Sequence, residues 1–174
     1  MQIGQHNTED KVLIIAEIGN NHEGDFDFAC EMVRVAAEAG ADAVKFQIFQ
    51  TEKYVSCSDA ARFECLQGFE LTPGQFAQLA RQSHAAGVAF VATPFDLSSA
   101  ELTAEICDAI KISSGDNTFY PLIGKIATTG KPTILSTGMS SVKQLRRPYD
   151  ILAEALSEDN LSYFCGNPND LWTN

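Results

Sequence analysis

The sequence predicts a parallel α/β protein, on three observations. Short apolar runs alternate with amphipathic stretches along most of the 174 residues. The runs show no strict polar/apolar alternation, which suits strands covered on both faces. Compact polar groups gather where each run ends. Strands alternating with helices build parallel sheets with right-handed connections.

The first run, Val12-Leu13-Ile14-Ile15-Ala16, ends in Glu17 and opens a turn, Gly19-Asn20-Asn21-His22-Glu23-Gly24. Phe28, Ala29, Met32, Val33, Ala36 and Ala37 then recur at helical spacing, with Asp25 and Asp27 at the start and Gly40 at the stop. The second run is Ala43-Val44-Lys45-Phe46-Gln47-Ile48, followed by a long excursion over 49–71. Thr72, Pro73 and Gln75 predict the next helix through a capping box with proline at its first position. Leu71 and Phe76 are spaced as a hydrophobic staple, and Gly87 ends the helix. The third run, Val88-Ala89-Phe90-Val91-Ala92, leads to Thr93-Pro94-Phe95, and Ser98 with Glu101 predicts another capping box. The fourth, Ala109-Ile110-Lys111-Ile112, leads to Ser113-Ser114-Gly115-Asp116 and a helix carrying Leu122, Ile123, Ile126 and Ala127. The fifth, Thr133-Ile134-Leu135, leads to Ser136-Thr137-Gly138-Met139. A last helix over 142–156 contains Pro148, which should kink or split it. Leu161-Ser162-Tyr163-Phe164-Cys165 is the candidate sixth strand.

Composition narrows the function. Forty-five per cent hydrophobic and 20% charged residues describe a globular domain with a core. The net charge of −11 argues against nucleic acid or an anionic membrane as partner. No apolar run approaches the ~18–20 residues of a membrane helix. The first ten residues lack the pattern of a signal peptide, so a cytoplasmic protein is expected. The five cysteines form no Cys-x-x-Cys pair and no zinc spacing, which suits a reduced compartment.

The polar groups at the run ends are Glu17, Lys45, Gln47, Thr93, Lys111, Ser114 and Ser136. Each has a bland reading: a Thr-Pro or Ser-Thr-Gly can simply turn the chain, and Lys45 can snorkel to the surface. Together they are harder to dismiss, because two lysines and a glutamate in apolar strands are costly to bury unless paired or bound. Lysines, hydroxyls and the N–H groups of the Ser114-Gly115 and Thr137-Gly138 turns suit an anion such as phosphate. Glu17 can hold a sugar hydroxyl or assist proton transfer. The residues alone thus describe a phosphorylated small-molecule site on a parallel α/β rim. His22 reads as a structural hydrogen-bonder, and His6 and His84 as surface residues.

The motifs in order carry a resemblance. Ala16-Glu17-Ile18-Gly19-Asn20-Asn21-His22-Glu23-Gly24, Val44-Lys45-Phe46-Gln47, Gly68-Phe69-Glu70-Leu71-Thr72 and Ala92-Thr93-Pro94-Phe95 are four of them. Lys111-Ile112-Ser113-Ser114-Gly115-Asp116-Asn117, Tyr120-Pro121-Leu122-Ile123 and Ile134-Leu135-Ser136-Thr137-Gly138-Met139 complete the set. Over about 12–156 the chain resembles the nonulosonic acid synthases, which make N-acetylneuraminate, legionaminate and pseudaminate. The resemblance implies a TIM (β/α)8-type barrel followed by a small antifreeze-like domain. It implies condensation of phosphoenolpyruvate with an N-acetylated amino sugar and release of phosphate. Lys45, Gln47, Thr93, Lys111, Ser114 and Ser136 would hold phosphoenolpyruvate, with the two lysines and Glu17 as catalytic candidates. Asp116 stands where many sialic acid synthases carry Glu, which points to a related sugar.

The resemblance also sets an expectation of truncation. A TIM barrel takes at least ~200 residues, and only five or six βα units fit here. The barrel's later strands and the antifreeze-like domain are expected to be absent. The family's divalent metal, Mn or Mg, takes two histidines from later strands, which have no counterpart in this chain. The expected His-Cys and Tyr-Pro of the sixth strand are missing too. Unpaired strand edges predict a homo-oligomer. Two other readings compete: a non-catalytic phosphoenolpyruvate-binding or interaction half-barrel, and another phosphoenolpyruvate-dependent aldolase-type barrel. The 17–24 and 136–139 signatures speak against the last.

Overall fold

The computed structural model describes residues 1–156. Five parallel strands form one sheet: β3 (Ile15–Gly19), β4 (Ala43–Ile48), β5 (Ala89–Pro94), β6 (Ala109–Ile112) and β7 (Thr133–Leu135). They lie in chain order, β3-β4-β5-β6-β7. Before them comes a small antiparallel hairpin, β1 (Gln2–Ile3) and β2 (His6–Asn7). The helices are α1 (Phe26–Glu38), α2 (Thr51–Tyr54), α3 (Ala60–Phe69), α4 (Pro73–Ala85), α5 (Leu97–Ile106), α6 (Tyr120–Ala127) and α7 (Val142–Ala155). The candidate sixth strand lies outside the described residues.

The sheet has two unlike faces, and strand period explains them. On one face Val44, Phe46, Ile48, Phe90 and Ala92 pack against α1 and α4, while Ile110, Ile112 and Leu135 pack against α5, α6 and α7. Phe46 and Phe90 stack with ring centroids 5.5 Å apart. Burying each such ring contributes about 1.5–3 kcal/mol. The other face is lined near the strand starts by Ala43, Ala89, Val91 and Ala109, and Met1 and Ile3 of the hairpin close over it. The small side chains leave room for the hairpin: a Cβ on Gly4 would sit 3.1 Å from the Ala89 Cβ. The central strands therefore alternate after all, with Phe46, Ile48, Phe90, Ile110 and Ile112 against the helices and mostly small or polar residues opposite, where Ile15 and Ile134 of the outer strands also lie.

Asp42 fastens the hairpin side of the molecule. Its carboxylate accepts from Lys11 Nζ at 2.7 Å and from the Ile14 N–H at 2.9 Å. Those bonds, Lys11 first, pull its pKa down to about 2. His6 Nδ1 lies 3.4 Å from the same carboxylate. His6 is buried, not a surface residue, because the hairpin folds it inward. His84 is half exposed, as expected, and pairs with Asp108 at 2.8 Å.

Several boundaries differ from expectation for local reasons. The first strand begins at Ile15, and Val12 and Ile14 remain 82% and 57% exposed. The 49–71 excursion contains α2 and α3; α3 buries none of its side chains, so no apolar stripe marks it. The cap of α5 is Asp96, whose carboxylate accepts from the N–H groups of Ser98 and Ser99. The same group accepts from Gln50 N–H at 3.0 Å, tying the loop after β4 to α5. Glu101 instead pairs with Lys125. Pro148 is buried inside α7 without splitting it, and Ser141 with Gln144 supplies a full capping box upstream. The Thr72–Gln75 box, Pro73 and the buried Leu71 and Phe76 stand as expected.

Candidate active site at the carboxyl ends of the strands

Glu17, Lys45, Gln47, Thr93 and Lys111 share one face of the sheet because they share one parity, whereas Thr133 has the other. Register pairs Glu17 with Lys45, Gln47 with Thr93, and Lys111 with Ile134. Lys45 and Gln47 follow Ala43 at intervals of two, so they continue the small-residue face toward the carboxyl end.

Three of these side chains meet directly. Glu17 Oε2 lies 2.6 Å from Lys45 Nζ, and Glu17 Oε1 accepts from Lys111 Nζ at 2.7 Å. The carboxylate thus bridges two ammonium groups from β4 and β6. Lys45 is 4% exposed and does not snorkel. Burial pushes its pKa down, and Glu17 pushes partly back. Partial burial raises the Glu17 carboxyl, but its bonds to Lys111 and Lys45 outweigh this and leave it below the usual value. The three ionised groups sum to one positive charge, within a chain of net charge −11.

Around the triad lie hydroxyl and amide groups. Thr93 is buried, and its Oγ1 has no hydrogen-bond partner. Gln47 sits beside Gly19, whose φ of +64° suits glycine. Ser114 opens a 3-10 turn, Ser114–Asp116, directly after β6. A Cβ on Gly138 would lie 3.6 Å from Ser114 Oγ, so the loops after β6 and β7 touch. Ser136 extends the ladder, its N–H donating to the Ile112 carbonyl at 3.1 Å. Asp116 is partly buried, and desolvation raises its pKa.

The structure also places a residue that the sequence reading passed over. Asn117 is buried and links the two loops through Ser136 and Ser140. Its signal in the sequence was its place at the end of the 111–117 motif, with no role of its own assigned.

The described residues do not fit a resident divalent metal. No group of three or more His, Cys, Asp or Glu that could hold one occurs among them. His6 and His84 line a pocket of about 520 Å³ with Asp42 and Asp108, beside the strand starts and away from the triad. His22 is buried beside Phe46, and its Nδ1 accepts from the Gly24 N–H at 3.1 Å. That bond leaves the ring proton on Nε2, which has no partner. His22 thus hydrogen-bonds within its own turn.

Fold and site together define a parallel α/β protein that gathers two lysines and a glutamate on one face of its sheet. The NeuB family matches residues 32–166, and the chain belongs to that family. It is 40% identical over 154 residues to an uncharacterized protein of Methanocaldococcus jannaschii, covering 88% of this chain and 45% of that one. It is 35% identical over 158 residues to the N,N'-diacetyllegionaminic acid synthase of Campylobacter jejuni, covering 83% and 47%. The crystal structure of the N-acetylneuraminic acid synthetase of Leptospira borgpetersenii, in complex with citrate, superposes with a TM-score of 0.80 at 30% identity. That match covers 92% of this chain and 57% of the Leptospira chain. The chain spans about half the length of the curated relatives it matches.

Proposed function

We propose that this chain is the phosphoenolpyruvate-binding part of a nonulosonic acid synthase. The reaction would join C3 of phosphoenolpyruvate to the aldehyde carbon of an open-chain N-acetylated amino sugar. Water then attacks C2, and phosphate leaves by C–O cleavage. The observation that carries this reading is the Glu17 bridge between Lys45 and Lys111, set on one sheet face at the strand ends. Such a cluster offers two ammonium groups to the carboxylate and phosphate of the substrate. Thr93 Oγ1 and Gln47 from the strands, and Ser114 and Ser136 from the loops, complete the cradle. Glu17 is half exposed and would contact the sugar once the lysines turn to the anion. The citrate held by the Leptospira relative is itself a polyanion.

Residues 1–174 are read as the N-terminal part of a TIM (β/α)8-type barrel, five or six βα units long. Sequential strand order, with helices on one face, supports this reading. No helix among the described residues is long and apolar enough to cross a membrane. A cytoplasmic protein acting on small molecules suits both substrates. The test is phosphate release from phosphoenolpyruvate by the 174-residue chain with manganese and a panel of N-acetylated amino sugars. Sugar-dependent release would establish the synthase reading, with the metal ligands supplied from outside the described residues.

A second reading, phosphoenolpyruvate binding without catalysis, is favoured by the histidine positions. His22 is committed to a turn, while His6 and His84 lie beside the strand starts. Calorimetric binding of phosphoenolpyruvate without any release of phosphate would establish this reading over the first.

Among the described residues β3 and β7 are the edges of the sheet. Beside β3 runs a groove of about 480 Å³ lined by Ala16, Ile18, Phe28, Met32, Val35 and Ala36. Unpaired edges invite pairing, and we extend the proposal to a homo-oligomer with copies joined along β3. Light scattering should give at least twice the monomer mass of 18.9 kDa. A stable monomer at micromolar concentration would remove this part of the proposal.

A further inference from the structure

The β6–β7 ladder ends at Ile112 and Leu135, with one more rung from the Ser136 N–H. Beyond it, the two loops that carry Ser114 and Ser136 have no main-chain bond between them to fix their spacing. Asn117 supplies a substitute. Its Nδ2 donates to the Ser136 main-chain oxygen and to Ser140 Oγ, both at 3.0 Å. The amide orientation follows from chemistry, because a carbonyl oxygen only accepts and the nitrogen must face it. Asn117 is 2% exposed, and its Oδ1 is buried without a partner. An unsatisfied acceptor is therefore tolerated at the point where the loops are tied. The close approach of Gly138 to Ser114 joins the same two loops independently.

We propose that Asn117 is a positioning residue that sets the spacing of Ser114 and Ser136 in the anion cradle. The inference rests on the phosphoenolpyruvate reading of the site. Asn117 acts through Ser136 and Ser140 and is itself closed off from solvent. A buried strap of this kind pre-organises the two hydroxyls, so that less ordering remains when the anion arrives.

The test uses the full chain and the variants Asn117→Ala and Asn117→Asp. Without ligand, amide hydrogen exchange at 136–140 should be about tenfold faster in Asn117→Ala, with the centre of β4 unchanged. Unchanged loop exchange would overturn the strap. Phosphoenolpyruvate should bind Asn117→Ala about five- to tenfold more weakly, the effect of one or two lost hydrogen bonds. Equal affinity would overturn the positioning role. The carboxyl introduced by Asn117→Asp can donate to the Ser136 carbonyl only when protonated, and burial raises its pKa. Its affinity relative to wild type at the same pH should therefore recover from about pH 8 to about pH 5.5. Asn117→Ala should not recover, and referring to wild type cancels the titration of the ligand, while the recovery in Asn117→Asp reads its new carboxyl together with the neighbouring Asp116. Flat profiles for both variants would reduce Asn117 to packing and overturn the proposal. Ser140→Ala removes one of the two bonds at a partly exposed position. It should give a smaller rise in exchange, and no rise there would also count against the strap if the Asn117 variants do not fold. Failure of the wild type to bind phosphoenolpyruvate would sink the functional reading, while hydrogen exchange would still decide the strap.

Discussion

Replacing Glu17 with glutamine should lower stability by about 2–3 kcal/mol at neutral pH, less than the ~3–5 kcal/mol typical of breaking a fully buried pair. The discount reflects Glu17 itself, whose side chain is 49% exposed. The loss falls on Lys45, an ammonium held in the interior with Glu17 at 2.6 Å. Burial already places its folded pKa below the ordinary 10.5. The unfolded chain then holds more protons, so stability rises with pH between the folded value and 10.5. Removing the carboxylate lowers the folded value further and widens that window downward. The deficit of Glu17→Gln should therefore shrink as pH is raised from neutral toward 10, measured by urea unfolding at each pH. A deficit independent of pH would mean that Lys45 is not the group left exposed to the change. On the acid side stability still rises with pH, but the slope of the deficit reverses. The folded pKa of Glu17 lies below 4.5, so its contribution is present above 4.5 and is lost as pH falls through the folded value. Wild type should lose stability there more steeply than the variant.

Which features could be read from the sequence follows from which were marked by energy. Lys45 and Lys111 were legible because a charge inside an apolar run is costly unless something answers it, and Glu17 does. The Thr72–Gln75 box and Pro73 were legible because capping chemistry is local. The two-faced sheet was hidden by Ala43, Ala89 and Ala109, which count as apolar in a run yet leave space for Met1 and Ile3. That packing is nonlocal, so neither the hairpin nor the burial of His6 could be read from local pattern. Helix α3 lacks a buried stripe altogether. Asp96 competed with Ser98 for one cap, and the further bond it accepts from the N–H of Gln50, a residue far away in the chain, explains why it prevails. Asn117 looked like an ordinary turn residue, because its partners lie 19 and 23 positions further on.

Replacing Lys111 with alanine should weaken phosphoenolpyruvate binding by about 10- to 100-fold, the effect of losing one charged hydrogen bond. Folding should suffer little, because Lys111 is partly exposed and Glu17 keeps Lys45 as a partner. The charge of the triad explains the size of the effect. Two lysines and one glutamate leave one net positive charge, and Lys111→Ala reduces it to zero in a chain of net charge −11. Ser114→Ala removes only a neutral donor and should cost less. The converse change separates electrostatics from folding: at a pH where Lys45 stays protonated, Glu17→Gln raises the local charge to two, so that variant should bind the anion more tightly even as it becomes less stable. Titration calorimetry on the three variants at two salt concentrations reads all of this, with the differences narrowing as salt screens the partly exposed groups. Unchanged affinity in Lys111→Ala would remove the triad from the binding site. A weaker, not tighter, Glu17→Gln would instead give Glu17 a direct part in holding the substrate, beyond keeping its two lysines in place.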